Sequence, residues 1–237
     1  MSERQNMNIS GASSMAGGEY GIVNISGAGK VLGDLKAEKL NCSGASKILG
    51  NARLSRLSCS GATSFEQDLH VSDKCVFSGV SKVLGNCSCR QMETSGTTKI
   101  AGSLTCSSLS LAGLLKVEKG IESEILNLDG AISVAGLLNS EEIRLKGRTT
   151  SKINEIGCSS LKVMKGYINF FEQLFHPFRN ILEVNVIECD TCELEKTTAK
   201  IVRGRNITIK KGCHIDRVEY YDTCHAAPNT VKEMVKL

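Results

Sequence analysis

The chain has 237 residues, a net charge of +4, 23 Gly, 2 Pro, no Trp and only 4% aromatic residues. Its charges of both signs are interspersed, and its rings are not interleaved with Arg or Lys, which argues against a nucleic-acid footprint. No apolar run reaches the 18 residues of a membrane-spanning helix, and so few large rings suit a narrow aliphatic core better than a globular α/β enzyme.

Residues 1–8 read as an N-terminal tail. Met1-Ser2-Glu3-Arg4-Gln5-Asn6 lacks the apolar segment of a signal peptide, so the 11 cysteines are expected as reduced thiols in a cytoplasmic protein, mostly buried as small hydrophobes.

A repeat occupies residues 9–162. Asn24-Ile25-Ser26-Gly27 returns as Asn41-Cys42-Ser43-Gly44, Ser58-Cys59-Ser60-Gly61 and Asn127-Leu128-Asp129-Gly130. The marker glycines at 11, 27, 44, 61, 79, 96, 113, 130 and 147 are separated by 16, 17, 17, 18, 17, 17, 17 and 17 residues. Apolar residues keep the same period. Cys42 lies two before its marker, Ile48 four after it, Ala52 eight after it and Leu57 thirteen after it. Between them the pattern alternates, as in Leu35-Lys36-Ala37-Glu38, which is the period of a strand with one buried face. Seventeen residues are too few for two helices and their turns. The expected fold is therefore all-β, a parallel β-helix of about 17-residue coils stacked at the strand spacing of roughly 4.8 Å. Glycines at fixed places mark corners that need positive φ or a close approach between coils.

The frame breaks after Lys162. Residues 163–181 are expected to hold a short amphipathic helical insertion. Tyr167, Phe170, Phe171, Leu174, Phe175 and Phe178 share one helical face, and Pro177 ends or kinks it. Such a helix would lie over a flank of the solenoid, or meet a partner protein or a membrane surface. Residues 182–222 resume the strand pattern as C-terminal coils, and residues 223–237 read as a C-terminal tail.

Cys189 and Cys192, with Cys213 and Cys224, carry the residue types of a zinc site. In a continuous strand Cys189 and Cys192 point to opposite faces unless a turn intervenes, and interior thiol stacking is the competing account. None of His70, His176, His214 and His225 sits in a nucleophile elbow, and no phosphate-cradling loop is present. Neither a catalytic residue nor a cofactor is expected. The enzymatic alternative is a hexapeptide-repeat acyltransferase. It fits poorly, because there is no steady six-residue frame bearing a His. A non-polymerising β-helical adaptor is a further alternative.

The repeat, its Ser-Gly markers and the stretch Thr197-Thr198-Ala199-Lys200-Ile201-Val202-Arg203-Gly204-Arg205-Asn206-Ile207-Thr208-Ile209 through Val218-Glu219-Tyr220 resemble the bactofilins, and most closely the longer Gram-positive type. The resemblance implies a right-handed β-helix that polymerises end to end without nucleotide. It also implies roles in cell shape, motility or protein positioning, often at the membrane. Residues 1–10 do not supply the hydrophobic anchor many members carry, and the aromatic stretch is unlike a minimal bactofilin core. Open solenoid ends must be capped or paired, which independently favours self-assembly. The expected contacts are Ile9 and Met15 at one end and Ile207, Ile209, Ile215 and Val218 at the other. A charge at Ile9 or Ile215 is then expected to abolish polymers and spare the fold.

Overall fold

The computed structural model describes residues 4–147, 149–166 and 180–237. The chain forms two units, Met1–Leu109 with Gly113–Glu118, and Ser110–Ala112 with Lys119–Leu237. Each is a parallel β-solenoid.

In the first unit every coil contributes two strands, one longer and one shorter except in the first coil, where both have three residues. The first strands of the coils are β1 (Met7–Ile9), β3 (Gly18–Ile25), β5 (Leu35–Cys42), β7 (Ala52–Cys59), β9 (Leu69–Phe77), β11 (Cys87–Thr94) and β13 (Leu104–Leu111). The second strands are β2 (Ser13–Met15), β4 (Ala28–Val31), β6 (Ala45–Ile48), β8 (Ala62–Phe65), β10 (Val80–Val83), β12 (Thr97–Ile100) and β14 (Leu114–Val117). Each strand pairs in parallel with the strand two along, so Leu40 sits on Leu57 and Ala28 on Ala45.

The burial pattern explains the coil. Leu35, Ala37, Leu40 and Cys42 are buried along β5, and Ser46 and Ile48 along β6. Strict alternation holds within each pair, and one extra residue between Ala37 and Leu40 turns the strand through a corner. Three faces result, each with two inward side chains. The next coil repeats them as Ala52 and Leu54, Leu57 and Cys59, Thr63 and Phe65. Each buried Leu in such a column contributes about 1.5–3 kcal/mol.

The marker glycines from Gly27 to Gly113 are required by close approach, not by a left-handed backbone. A Cβ at Gly44 would lie 2.1 Å from the Gly27 carbonyl oxygen, and one at Gly61 would lie 2.0 Å from that of Gly44. At another corner, polar side chains stitch successive coils. Asp34 Oδ1 accepts from the Asn51 backbone N–H at 2.8 Å, and Asp68 Oδ1 from that of Asn86 at 2.7 Å.

The second unit contains β15 (Ile121–Leu128), β16 (Ala131–Gly147), β17 (Ser151–Lys165), β18 (Leu182–Leu194), β19 (Thr197–Ile209), β20 (His214–Ala226) and β21 (Val231–Lys236). They stack in chain order, all parallel, from β15 to β21. Ser151 pairs with Leu182, a step of 31 residues, where Leu182 to Thr197 is a step of 15. The longer step contains the aromatic stretch Tyr167, Phe170, Phe171, Leu174, Phe175 and Phe178, which lies outside the described residues.

Three expected boundaries move. β17 runs to Lys165, past residue 163 where the insertion is expected to begin. Residues 223–237 are not a tail: β20 runs to Ala226 and β21 adds another coil, with Ile215 on Val231 and Val218 on Met234. At the other end the first coil begins before Ile9. Asn6 Oδ1 accepts from the Ile22 N–H at 2.8 Å, and Met7 pairs with Val23.

Candidate functional site

Two features stand out as sites: the terminal strand edges and the thiol clusters. Among the described residues β1 pairs only with β3, and β21 only with β20. A strand paired on one side presents a row of free N–H and C=O groups, a template for another strand.

The expected end residues divide accordingly. Ile9 and Met15 lie in the first coil, facing inward, each 6% exposed. Ile207, Ile209, Ile215 and Val218 are 0–2% exposed and sealed in the column beneath β21, so they are not the C-terminal edge. The apolar residues at that edge are Val231, Met234 and Leu237, the last two more than half exposed. It follows that a charge at Ile215 would break the column instead of sparing the fold, because it buries an unpaired ion.

None of the eleven cysteines is in a disulfide. Nine are buried, and Cys158 and Cys224 are partly exposed. Cys42 stacks on Cys59 in register. A second interior cluster joins Cys75, Cys87 and Cys89, with Cys106 close by. The third is in the second unit, where Cys158 pairs in register with Cys189 on the next coil. Cys189 and Cys192 both point inward, because the exposed pair Asp190 and Thr191 turns the corner between them. This corner is the intervening turn on which the expectation of opposite faces depended. Hydrogen bonds from the Cys158 and Cys192 thiols favour the Cys189 thiolate and hold its pKa down at about 5 against the effect of burial. The same bonding pushes Cys158 and Cys192 up.

The zinc candidates do not come together as a set. Cys213 points away to the Leu194 carbonyl, to which its thiol donates at 3.4 Å. Cys224 is separated from Cys192 by the Ile207 coil. Among the described residues no group of three or more His, Cys, Asp or Glu side chains is placed to hold a metal ion. Cys158 was not singled out by the sequence reading. Its signal was there in principle, as the residue one coil before Cys189, but the 31-residue step hid the register.

Two surfaces complete the inventory. Lys30, Lys47, Lys82, Lys99 and Lys116 form an exposed row on the short strands of the first unit, where Ser14 and Ser64 take the other two places. Glu118 accepts from Lys99 at 2.9 Å and Lys116 at 3.2 Å. In the second unit a groove of about 720 Å³ runs across Lys152, Asn185, Lys200, His214, Asp216 and Lys232. Two of its lysines are ion-paired, Lys152 with Glu183 at 3.1 Å and Lys232 with Asp216 at 2.7 Å. No helix among the described residues is long and apolar enough to cross a membrane.

The chain is 36% identical over 88 residues to Uncharacterized protein YhbF of Bacillus subtilis (strain 168), a match covering 37% of this chain and 35% of that one. It is 39% identical over 72 residues to Uncharacterized protein YhbE of the same organism, covering 30% and 29% respectively. The chain thus spans about a third of the length of the curated relatives it matches. No protein-family model matches it, and no solved structure matches it significantly.

Proposed function

We propose that the protein is a bactofilin-like structural protein, right-handed in its winding, that self-assembles end to end without nucleotide into filaments or scaffolds. The observation that carries this reading is the β21 edge. It is a parallel strand paired on one side only, with Met234 56% and Leu237 54% exposed. Burying large apolar side chains of that kind favours association, and a free strand edge supplies the directional hydrogen bonds. Stacking β21 of one copy against β1 of the next at the strand spacing of about 4.8 Å repeats a heterologous contact, which propagates as an open filament.

On this reading the protein acts in the cytoplasm in cell shape, motility or the positioning of other proteins. Its first partner is itself. The stretch holding Tyr167, Phe170, Phe171, Leu174, Phe175 and Phe178 is the contact for recruited proteins or a membrane surface. The test is sedimentation of the purified chain, free of nucleotide, across a range of concentrations. Mass should move to large, concentration-dependent species. A single small species at every concentration would overturn the reading.

A further inference from the structure

The second unit carries a thiol pair that assembly does not use and of which one member, Cys158, is partly exposed. Cys158 and Cys189 occupy the same register position on consecutive parallel coils. Their Cα atoms are therefore about one strand spacing apart, roughly 4.8 Å, inside the range of about 4.4–6.8 Å that a disulfide spans. The two thiols are already hydrogen-bonded to each other. On the next coil the same position is Gly204, which has no side chain to close the column over Cys189. A Cβ there would lie 2.3 Å from the Cys189 carbonyl oxygen and 3.5 Å from its Sγ. The position therefore admits only glycine, and the thiol keeps no side chain above it. The gap opens into a depression of about 330 Å³ whose walls include Cys158, Cys189, Arg203, Arg205 and Tyr221. Arg203 and Arg205 there are ion-paired with Glu188 and Asp190, which also line the depression. What favours the thiolate is therefore its hydrogen bonding by Cys158 and Cys192, and a thiolate so held and reachable by a small solute is a reactive cysteine.

We propose that Cys158 and Cys189 form an oxidant-reactive thiol pair that takes small peroxides and closes to a disulfide between adjacent coils. The Cys189 thiolate attacks one peroxide oxygen. An S–O bond forms, the O–O bond breaks, and hydroxide leaves to take up the proton that Cys189 shed on ionising. Cys158 sulfur then attacks the sulfenic sulfur of Cys189. An S–S bond forms, and the hydroxyl leaves as water with the Cys158 proton. In total, two thiols and one hydrogen peroxide give one disulfide and two waters, and the peroxide is reduced by two electrons. Cys192 holds the Cys189 thiolate from the adjoining face without entering the bond. In the other clusters every thiol is buried where Cys158 is partly exposed: Cys42, Cys59, Cys75 and Cys87 are at most 2% exposed, Cys106 4% and Cys89 9%.

The experiment treats the full chain with hydrogen peroxide, alkylates the remaining thiols after denaturation, and maps linkages by peptide mass spectrometry. The expected result is a Cys158–Cys189 disulfide while Cys42, Cys59, Cys75 and Cys87 are recovered alkylated. In Cys158→Ser the reaction stops at the sulfenic acid, and dimedone labels Cys189. In Cys189→Ser both the linkage and the dimedone label are lost. Cys192→Ser keeps the linkage. A wild-type chain whose Cys158 and Cys189 stay reduced, or whose linkage joins Cys189 to Cys192, overturns the proposal without reliance on any variant.

Discussion

Met234 stacks directly on Val218, one coil inward, and is 56% exposed where Val218 is fully buried. The same column thus passes from sealed core to open edge in one step. Met234→Asp is expected to leave the urea midpoint unchanged and to abolish sedimenting species. Val218→Asp places an unpaired charge in the core and is expected to destabilise by about 3–5 kcal/mol, seen as loss of the folded baseline. Equal loss of stability in the two variants would show that β21 is not a free edge.

The marker glycines predict a sharp contrast within one motif. A Cβ at Gly44 meets the Gly27 carbonyl oxygen at 2.1 Å, whereas one at Gly11 meets nothing within 4 Å. Gly44→Ala must push two coils apart and is expected to cost about 2–3 kcal/mol, the scale of an overpacked core. Gly11→Ala is expected to stay within about 0.5 kcal/mol. Chemical denaturation of the two variants checks the difference.

Buried hydroxyls in the first unit supply a prediction of opposite sign. Ser46 and Thr63 face the interior beside the Cys42 and Cys59 thiols, whereas the Ser81 oxygen has no hydrogen-bond partner among the described residues. Ser81→Ala removes that unsatisfied polar atom and is expected to stabilise by about 1 kcal/mol. Thr98 is different, because its hydroxyl shares a 3.0 Å hydrogen bond with Thr94. Thr98→Val strands that partner and is expected to destabilise by about 1 kcal/mol. Thermal melts of both variants decide the signs.

Those hydroxyls also show where sequence patterning stopped. The columns through Cys42, Ile48, Ala52 and Leu57 were legible because apolar residues recur at one period. The column through Ser46, Thr63, Ser81 and Thr98 was not, because small polar side chains read as surface. Cys189 and Cys192 looked opposed because strict alternation has no place for a corner residue. Met234 was missed as an edge because Val231-Lys232-Glu233-Met234-Val235-Lys236 is too polar and too short to stand out as a strand. What fixes it is the register on β20, a long-range relationship.

Glu219 links stability to pH. Hydrogen bonds from Arg203 and Arg217 hold its carboxyl below the usual carboxylate range, and the Arg203 contact is 2.7 Å. A carboxylate depressed in the folded state contributes stability above its unfolded pKa and loses it as pH falls through the folded one. The urea midpoint is therefore expected to fall as pH drops below about 4.5. In Glu219→Gln the neutral-pH midpoint is expected to be lower and that acid limb shallower. An unchanged acid limb would remove Glu219 from the account.

The most direct test of end-to-end assembly is negative-stain electron microscopy of the purified, tag-free chain at low and moderate salt without nucleotide, beside Met234→Asp. The account predicts regular filaments of uniform width from the wild type and isolated particles from the variant. Discrete closed particles from both, or filaments unaffected by a charge at Met234, would contradict it.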